Sequence, residues 1–283
     1  MGGNSLRIVY NNIADNAALS APSVGDLTVD NLKKSYKNLV WRTSNLSAKI
    51  TADDFPAQPV SFVGLLYNNL SVSSLIRVKG YYQSQLRFDT GWLMSNPPDF
   101  FDDLDWGVEP LGVNYYSRVV PTSVRQKNII HSPIWLDNIY VIDQLEVEIE
   151  DVDNEQQHIE AGNLLVGLHW APEITADRGL QVVTEDNTVQ SRTESGSLRS
   201  YQLPSHKQIN FQLSSLSLSE GEKLNSIISS SGKTHPVFVS IYPQSDSHSL
   251  ECHYQIYGKL SRSSPVNTPF YNTNQTMLYV EEI

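Results

Sequence analysis

The feature that most constrains the fold is a period-two pattern of aliphatic residues over residues 139–150. Ile139, Val141, Leu145, Val147 and Ile149 occupy every second position, interrupted only by Asp143, and the polar residues beside them are Asn138, Gln144, Glu146, Glu148 and Glu150. Successive side chains of a β-strand point to opposite faces of the sheet, so this pattern places one face on a core and the other in water. Asp143 breaks the apolar face, which predicts a bulge or a bend there. The segment therefore predicts a long, half-buried strand.

Strand signals recur along the chain, and helical periodicity is rare. Ile209, Phe211 and Leu213 alternate with amides, and two prolines enclose a short apolar strand at residues 236–243. Residues 29–40 carry apolar side chains at roughly helical spacing, so a short helix and a turn both remain open. The pattern predicts an all-β protein.

One helix is predicted at about residues 220–231. Ser219 and Glu222 have the spacing of a capping box, in which each side chain hydrogen-bonds a backbone amide at the start of a helix. Leu224 and Ile227, with Ile228, then form an apolar face, and Gly232 suits the C-terminal end. The second part of the chain is therefore predicted to be β-rich with one short helix.

The charge of the chain argues against a nucleic-acid partner. The formal net charge is −11, from 31 acids and 20 Lys and Arg, and no basic block is visible. Cys252 is the only cysteine, which excludes an intrachain disulfide and favours folding in a reducing compartment. The first residues lack the apolar stretch of a secretory signal, and no apolar run reaches the length of a membrane span. We therefore expect synthesis in a cytoplasm and no membrane insertion.

Three segments of the first half resemble a discoidin-like, or galactose-binding-like, jelly roll. The opening half is carried by Trp41-Arg42-Thr43 and by residues 58–71, an apolar strand closed by an amide-rich turn at Asn68 and Asn69. The closing half is carried by the Ile-Glu-x-Gly strand that begins at Ile159. The resemblance is to the form of this domain found in phage tail and virion proteins.

The second half is similar to the same type of phage protein in three short patterns. They are His235-Pro236-Val237-Phe238-Val239, Tyr257-Gly258-Lys259-Leu260 and Val280-Glu281-Glu282-Ile283. The resemblance implies two domains: a jelly-roll sandwich at 1–174, with an aromatic and acidic insertion at about 89–127, and a β-rich domain at 175–283. It also implies a virion component of the tail tip or baseplate, which assembles with copies of itself and with other tail proteins.

No motif points to catalysis, a cofactor or a metal. His248, Cys252 and His253 lie close together, but the adjacent Cys252 and His253 are predicted to point to opposite faces of a strand, and a zinc site needs about four converging ligands. No nucleophile elbow or phosphate-binding glycine loop is present. We therefore predict that the protein is not an enzyme.

The acidic residues allow two further readings. Asp99, Asp102, Asp103 and Asp105 are predicted to form a solvated loop, because the turn glycine and distal glutamate of a calcium loop are missing. A glycosidase would need two carboxylates on either side of a sugar, a separation that sequence does not give. Some discoidin-like domains hold calcium in an early loop, which in this chain would involve Asp15 or Asp26.

The candidate contact residues are aromatic. Trp92, Trp106, Tyr115 and Tyr116 lie in loop-like sequence, where rings pack an interface, fill a core or stack on a sugar. The leading hypothesis is a non-enzymatic structural protein of a phage virion, packing through residues 89–127 and 177–200. The alternative is a carbohydrate-binding module that contacts a host surface glycan.

Overall fold

A computed structural model describes the chain at residues 6–96, 130–245, 248–262, 264–270 and 273–283. Strands dominate these residues, and the all-β fold class is confirmed. The strands are β1 Arg7–Tyr10, β2 Ala18–Ser20, β3 Trp41–Thr43, β4 Ser47–Asp53, β5 Gln58–Asn68, β6 Leu75–Tyr82, β7 Gln85–Asp89, β8 Leu93–Met94, β9 Ile130–Ile142, β10 Gln144–Glu150, β11 Ile159–Ala161, β12 Asn163–Trp170, β13 Gln181–Glu185, β14 Val189–Arg192, β15 Leu198–Tyr201, β16 His206–Leu216, β17 Val237–Ser240, β18 Gln255–Leu260, β19 Asn267–Phe270 and β20 Thr273–Glu282. The helices are α1 Leu218–Ser231, α2 His248–His253 and the 3-10 helices Ile13–Asn16 and Val29–Lys33.

The chain divides into two compact units. The first unit comprises Val9–Trp170 and Gln244–His253, and the second comprises Met1–Ile8, Ala171–Pro243 and Tyr254–Ile283. The domain boundary at residue 174 stays a prediction. In the structure the main division falls after Trp170. In addition, the N-terminal segment Met1–Ile8 belongs to the second unit, and Gln244–His253 belongs to the first.

The first unit contains two sheets packed face to face. One has the strand order β2-β4-β10-β6-β7, with β8 beside β6, and the other contains β12-β5-β9. Ile50 of β4, Val147 of β10 and Leu65 of β5 are each at most 1% exposed and belong to one apolar cluster. Because alternate side chains of both sheets enter the same core, the unit is a β-sandwich.

The segments that carried the jelly-roll resemblance meet in this unit. Strand β3 pairs with β11, so that Arg42 lies opposite Glu160, and Arg42 Nε donates to the Glu160 carboxylate at 2.8 Å. The amide turn contacts the same strand, because Asn69 Oδ1 accepts from the Glu160 amide at 2.7 Å. Trp41 is fully buried and donates from Nε1 to the Pro22 carbonyl at 2.8 Å.

The predicted long strand at residues 139–150 is two strands with a bend between them. Ile139 and Val141 are 62% and 49% exposed, whereas Leu145, two residues beyond Asp143, is 1% exposed. Strand β9 pairs with β5, and β10 pairs with β4 and β6, so the chain passes from one sheet to the other at Asp143. The Asp143 carboxylate accepts from the Gln83 amide at 2.9 Å. The predicted bend is confirmed, but the single strand was wrong because the bend reverses which residues face the core.

In the second unit, β13-β16-β20-β18-β17 form a sheet, and helix α1 follows β16. The helix is present as predicted, with Leu224 and Ile227 buried and Gly232 at its C-cap with φ +53°. Its capping box is formed by Ser217 and Glu220, not by the predicted Ser219 and Glu222. Both pairs fit the same spacing, and Ser217 caps the helix because it directly follows the last residue of β16. Among the described residues, no helix is long and apolar enough to cross a membrane.

The polar segment at residues 177–200 forms strands rather than an open loop. Strand β13 pairs with β16, and β14 and β15 then pair with each other as a separate two-stranded hairpin. Every residue of β14 and β15 is exposed. We call residues 187–205, which contain this hairpin, the arm.

Candidate ligand-binding cleft

The candidate site lies on the outer face of the sheet formed by β4, β10 and β6. The inward residues of these strands are small or aliphatic, and most outward residues are polar or charged. Cross-strand registry places Glu148 between Lys49 of β4 and Arg77 of β6, and Glu146 opposite Lys79. Because directly opposed residues on one face lie within about 5.5 Å, the strands bring opposite charges together.

These charged side chains form a connected network. Lys49 Nζ lies 2.6 Å from Glu146, and Lys79 Nζ donates to Glu148 at 2.7 Å. Arg77 lies 3.8 Å from Glu148 and also donates from Nε to Asp89 at 2.8 Å. The carboxylates are thus held in fixed positions by cations on neighbouring strands.

The network changes the acidity of its carboxyls. The hydrogen bonds from Arg77 lower the pKa of Asp89 from 3.8 to about 2, and the Gly91 amide contributes to this lowering. Burial alone would raise the pKa of Glu146, but hydrogen bonds from Lys49 and Tyr81 outweigh it, so this pKa is lowered. Both groups are therefore carboxylates at neutral pH.

Trp92 is placed at the edge of this face by a tight turn. Gly91 has φ +65°, a backbone conformation that suits glycine, and its amide donates to the Asp89 carboxylate at 2.9 Å. Strand β8 then pairs with β6, Leu93 lying opposite Ile76. The Trp92 side chain is 40% exposed, and the Arg77 guanidinium carbon lies 6.0 Å from the centre of its ring.

An open cleft of about 480 Å³ lies beside Trp92. It is lined by Pro22, Ser47, Ala48, Lys49, Trp92, Glu148, Ile149 and Glu150. Its size falls in the range of small-molecule sites, roughly 300–1,000 Å³. The cleft offers an aromatic surface, an ammonium, a hydroxyl and two carboxylates to a polar ligand.

The structure places one of the four predicted contact residues in this cleft. Trp92 is exposed, whereas Trp106, Tyr115 and Tyr116 lie outside the described residues, as do the acids at residues 99–105. Trp135 is 9% exposed, and its ring centre lies 4.5 Å from that of Phe62. Sequence reasoning missed Lys49, Glu148 and Glu150. The two glutamates could have been found as the polar half of the alternating strand.

The histidines do not form a metal centre in the described part of the chain. Residues 248–253 form a helix and not the predicted strand, so Cys252 and His248 share a face, with Sγ 3.3 Å from Nε2. Across the described ranges, no group of three or more His, Cys, Asp or Glu side chains is arranged to hold an ion. Asp15 contacts the Asn12 amide at 2.6 Å.

A serine and a histidine approach each other elsewhere in the first unit. Ser61 Oγ lies 2.7 Å from His169 Nδ1 and accepts from the His169 amide at 3.0 Å. His169 also packs edge-on against Trp135, with ring centres 5.6 Å apart. Ser61 is 1% exposed, so a substrate cannot reach its hydroxyl, and we assign the pair a packing role.

No protein-family model matches the chain, and no curated protein matches it. Among solved structures, the family 32 carbohydrate-binding module of Clostridium perfringens NanJ, in complex with galactose, is 10% identical and covers 58% of this chain and 99% of its own, with a TM-score of 0.38. The lectin binding domain of lectinolysin, complexed with Lewis b, is 13% identical and covers 56% of this chain and 95% of its own, with a TM-score of 0.34. A Ruminococcus gnavus GH29 fucosidase is 11% identical over 56% of this chain and 26% of its own, also with a TM-score of 0.34. At these scores neither the fold nor the ligand of this chain follows from its neighbours.

Proposed function

We propose that the first unit binds a carbohydrate in the cleft beside Trp92. The observation that supports this is an exposed indole next to fixed carboxylates and an ammonium in one open cleft of about 480 Å³. A sugar ring has an apolar CH face and a rim of hydroxyls, and an indole packs against such an apolar face. The hydroxyls then donate to Glu148 and Glu150 and accept from Lys49.

The charge network makes the cleft suitable for a polar, uncharged ligand. Hydrogen bonds between a neutral group and a charged one contribute about 1.5–3 kcal/mol each. Glu148 is held by Lys79 at 2.7 Å, and its side chain is 21% exposed, so one face of the carboxylate remains open to the cleft. Because the carboxylate is already ordered, binding loses little side-chain entropy.

The arrangement favours binding over hydrolysis. Glu148 and Glu150 are two residues apart on one strand, so both carboxylates extend from the same side of the sheet. Glycoside hydrolysis requires two carboxyl groups on either side of the scissile bond. The cleft therefore has one acidic wall, and the glycan-hydrolase hypothesis receives no support from it.

The test is a glycan array with the full chain, followed by calorimetric titration of the sugar that binds. Trp92→Ala is expected to weaken binding tenfold or more, about 1.4 kcal/mol. Tyr36→Ala is the matched control, since Tyr36 is 64% exposed and does not line the cleft. Equal binding by wild type and Trp92→Ala, or the absence of any bound glycan at millimolar concentration, would overturn the proposal.

A second candidate function, the structural role in a phage virion, is favoured by the arm. An exposed hairpin extending from a folded unit is a feature of chains that assemble with neighbours. The test is quantitative mass spectrometry of virus particles purified from cells in which this chain is expressed. A fixed copy number in intact particles supports the structural role, and its absence from them contradicts it.

A further inference from the structure

We infer that the arm binds a second copy of this chain, and that two copies exchange arms reciprocally. This inference deepens the second candidate function, because it names the partner through which such a protein assembles. The glycan cleft takes no part in it.

The arm is a two-stranded hairpin that lies between β13 and β16 along the chain and is not hydrogen-bonded into their sheet. Strand β14 pairs with β15 in full register, from Val189 opposite Tyr201 to Arg192 opposite Leu198. At the base, the Asn187 side-chain amide donates to the Pro204 carbonyl at 3.2 Å. At the tip, the Thr193 amide donates to the Ser197 carbonyl at 2.9 Å.

The arm exposes apolar side chains that would be buried on binding another protein. Tyr201 is 71% exposed, Val189 57% and Leu198 52%. Tyr201 and Val189 are directly opposed and so share one face of the hairpin, while Leu198 lies on the other. A lone two-stranded hairpin is marginally stable in water. Burying these three side chains against a partner would stabilise it.

The area of the arm suits an exchange better than a one-sided contact. Interface residues bury roughly 30 Å² each, so the arm would bury roughly 550 Å² of its own surface, and about twice that with the surface that receives it. One arm therefore supplies about 1,100 Å², below the standard size of about 1,600 Å². Two arms exchanged about a twofold axis supply about 2,200 Å², which is enough for a stable dimer.

The charge of the arm also favours a sister copy. Arg192 and Arg199 stand against one acid, Glu194, which gives the arm a net charge of +1. The whole chain carries −11, so the rest of it carries −12. Asp186 at the base of the arm offsets this charge, so the attraction to an acidic second copy comes from Arg192 and Arg199 themselves, and salt weakens it.

The test is the mass of the full chain in solution, measured by light scattering after size-exclusion chromatography between 1 and 100 µM. We expect twice 31.8 kDa for wild type and a shift to the monomer for the combined variant Val189→Ser, Leu198→Ser and Tyr201→Ser. Circular dichroism checks that this variant is folded. The matched control replaces three side chains of the first unit with comparable exposure, Tyr36, Met94 and Val152, by serine, and it should stay dimeric.

Three results would overturn the inference: a monomeric wild type at 100 µM, a dimer that survives the arm variant, or a ring of more than two copies. Replacing both arginines by glutamate gives a second measurement, with at least a tenfold weaker dimer expected at low salt. Glycan binding by the arm variant and its incorporation into particles are measured separately. Failure of self-association is thereby distinguishable from failure of either proposed function.

Discussion

The pair Glu146 and Glu148 allows a sharp test of the cleft. Both are on β10, face the same side and accept from a lysine, but only Glu148 lines the cleft. Glu148→Gln keeps a hydrogen-bond acceptor for Lys79 and removes the negative charge. We expect it to lower the free energy of unfolding by about 0.5–1 kcal/mol, the contribution of a partly exposed ion pair. Glycan affinity should fall about tenfold, since a charge-assisted hydrogen bond contributes about 1.5 kcal/mol more than a weak one.

Glu146→Gln is the control for this prediction. Its ion pair with Lys49 is similar, at 2.6 Å, and its side chain is 15% exposed against 21% for Glu148. The loss of stability should therefore be similar, while glycan affinity should change less than twofold. Urea unfolding measures the first quantity and calorimetric titration the second. The reasoning is refuted if both variants bind equally weakly, or if Glu148→Gln binds as well as wild type.

Two other predictions concern stability. The pKa of Asp89 is lowered from 3.8 to about 2, mainly by Arg77, so its contribution is present above pH 4 and is lost as the pH falls towards 2. Asp89→Asn should lower the free energy of unfolding by about 1 kcal/mol at pH 7, after allowance for solvent screening, and by almost nothing at pH 2. Urea unfolding of both proteins across this pH range measures the difference, and a difference that does not change with pH contradicts the prediction. Ser217→Ala should cost about 1 kcal/mol through loss of the helix cap, and Ser219→Ala less than 0.5 kcal/mol. Thermal unfolding compares these two variants, and the reverse order would contradict the capping assignment.

The fold class could be predicted from the sequence because it depends on local patterns. The apolar faces of β10 and β16 are visible as period-two alternation, and Gly232 marks the end of α1. The capping residue could not be chosen in this way, because Ser217 and Ser219 both precede a glutamate at the right spacing. Only the end of β16 decides between them.

The inward face of β9 was not predictable for a different reason. Residues 139–142 are all apolar, so the sequence does not show which face of this part of β9 is buried, and Asp143 reverses the assignment by moving the chain to the second sheet. Only some of the residues that line the cleft could be predicted from the sequence. Trp92 was named from its loop-like setting, whereas Lys49 and Glu148 become neighbours only through the registry of β4 with β10. Trp106, Tyr115 and Tyr116 stay predictions.

The position of β5 has a consequence for biosynthesis. This strand is buried along most of its length. Its partners β9 and β12 are synthesised long after it, so Phe62 cannot pair with Trp135 and Gly167 until they have been made. Until those residues leave the ribosome, an apolar segment with strong β-propensity has no cover. Pairing over such separations is slow. A truncation that ends before β12 should therefore aggregate.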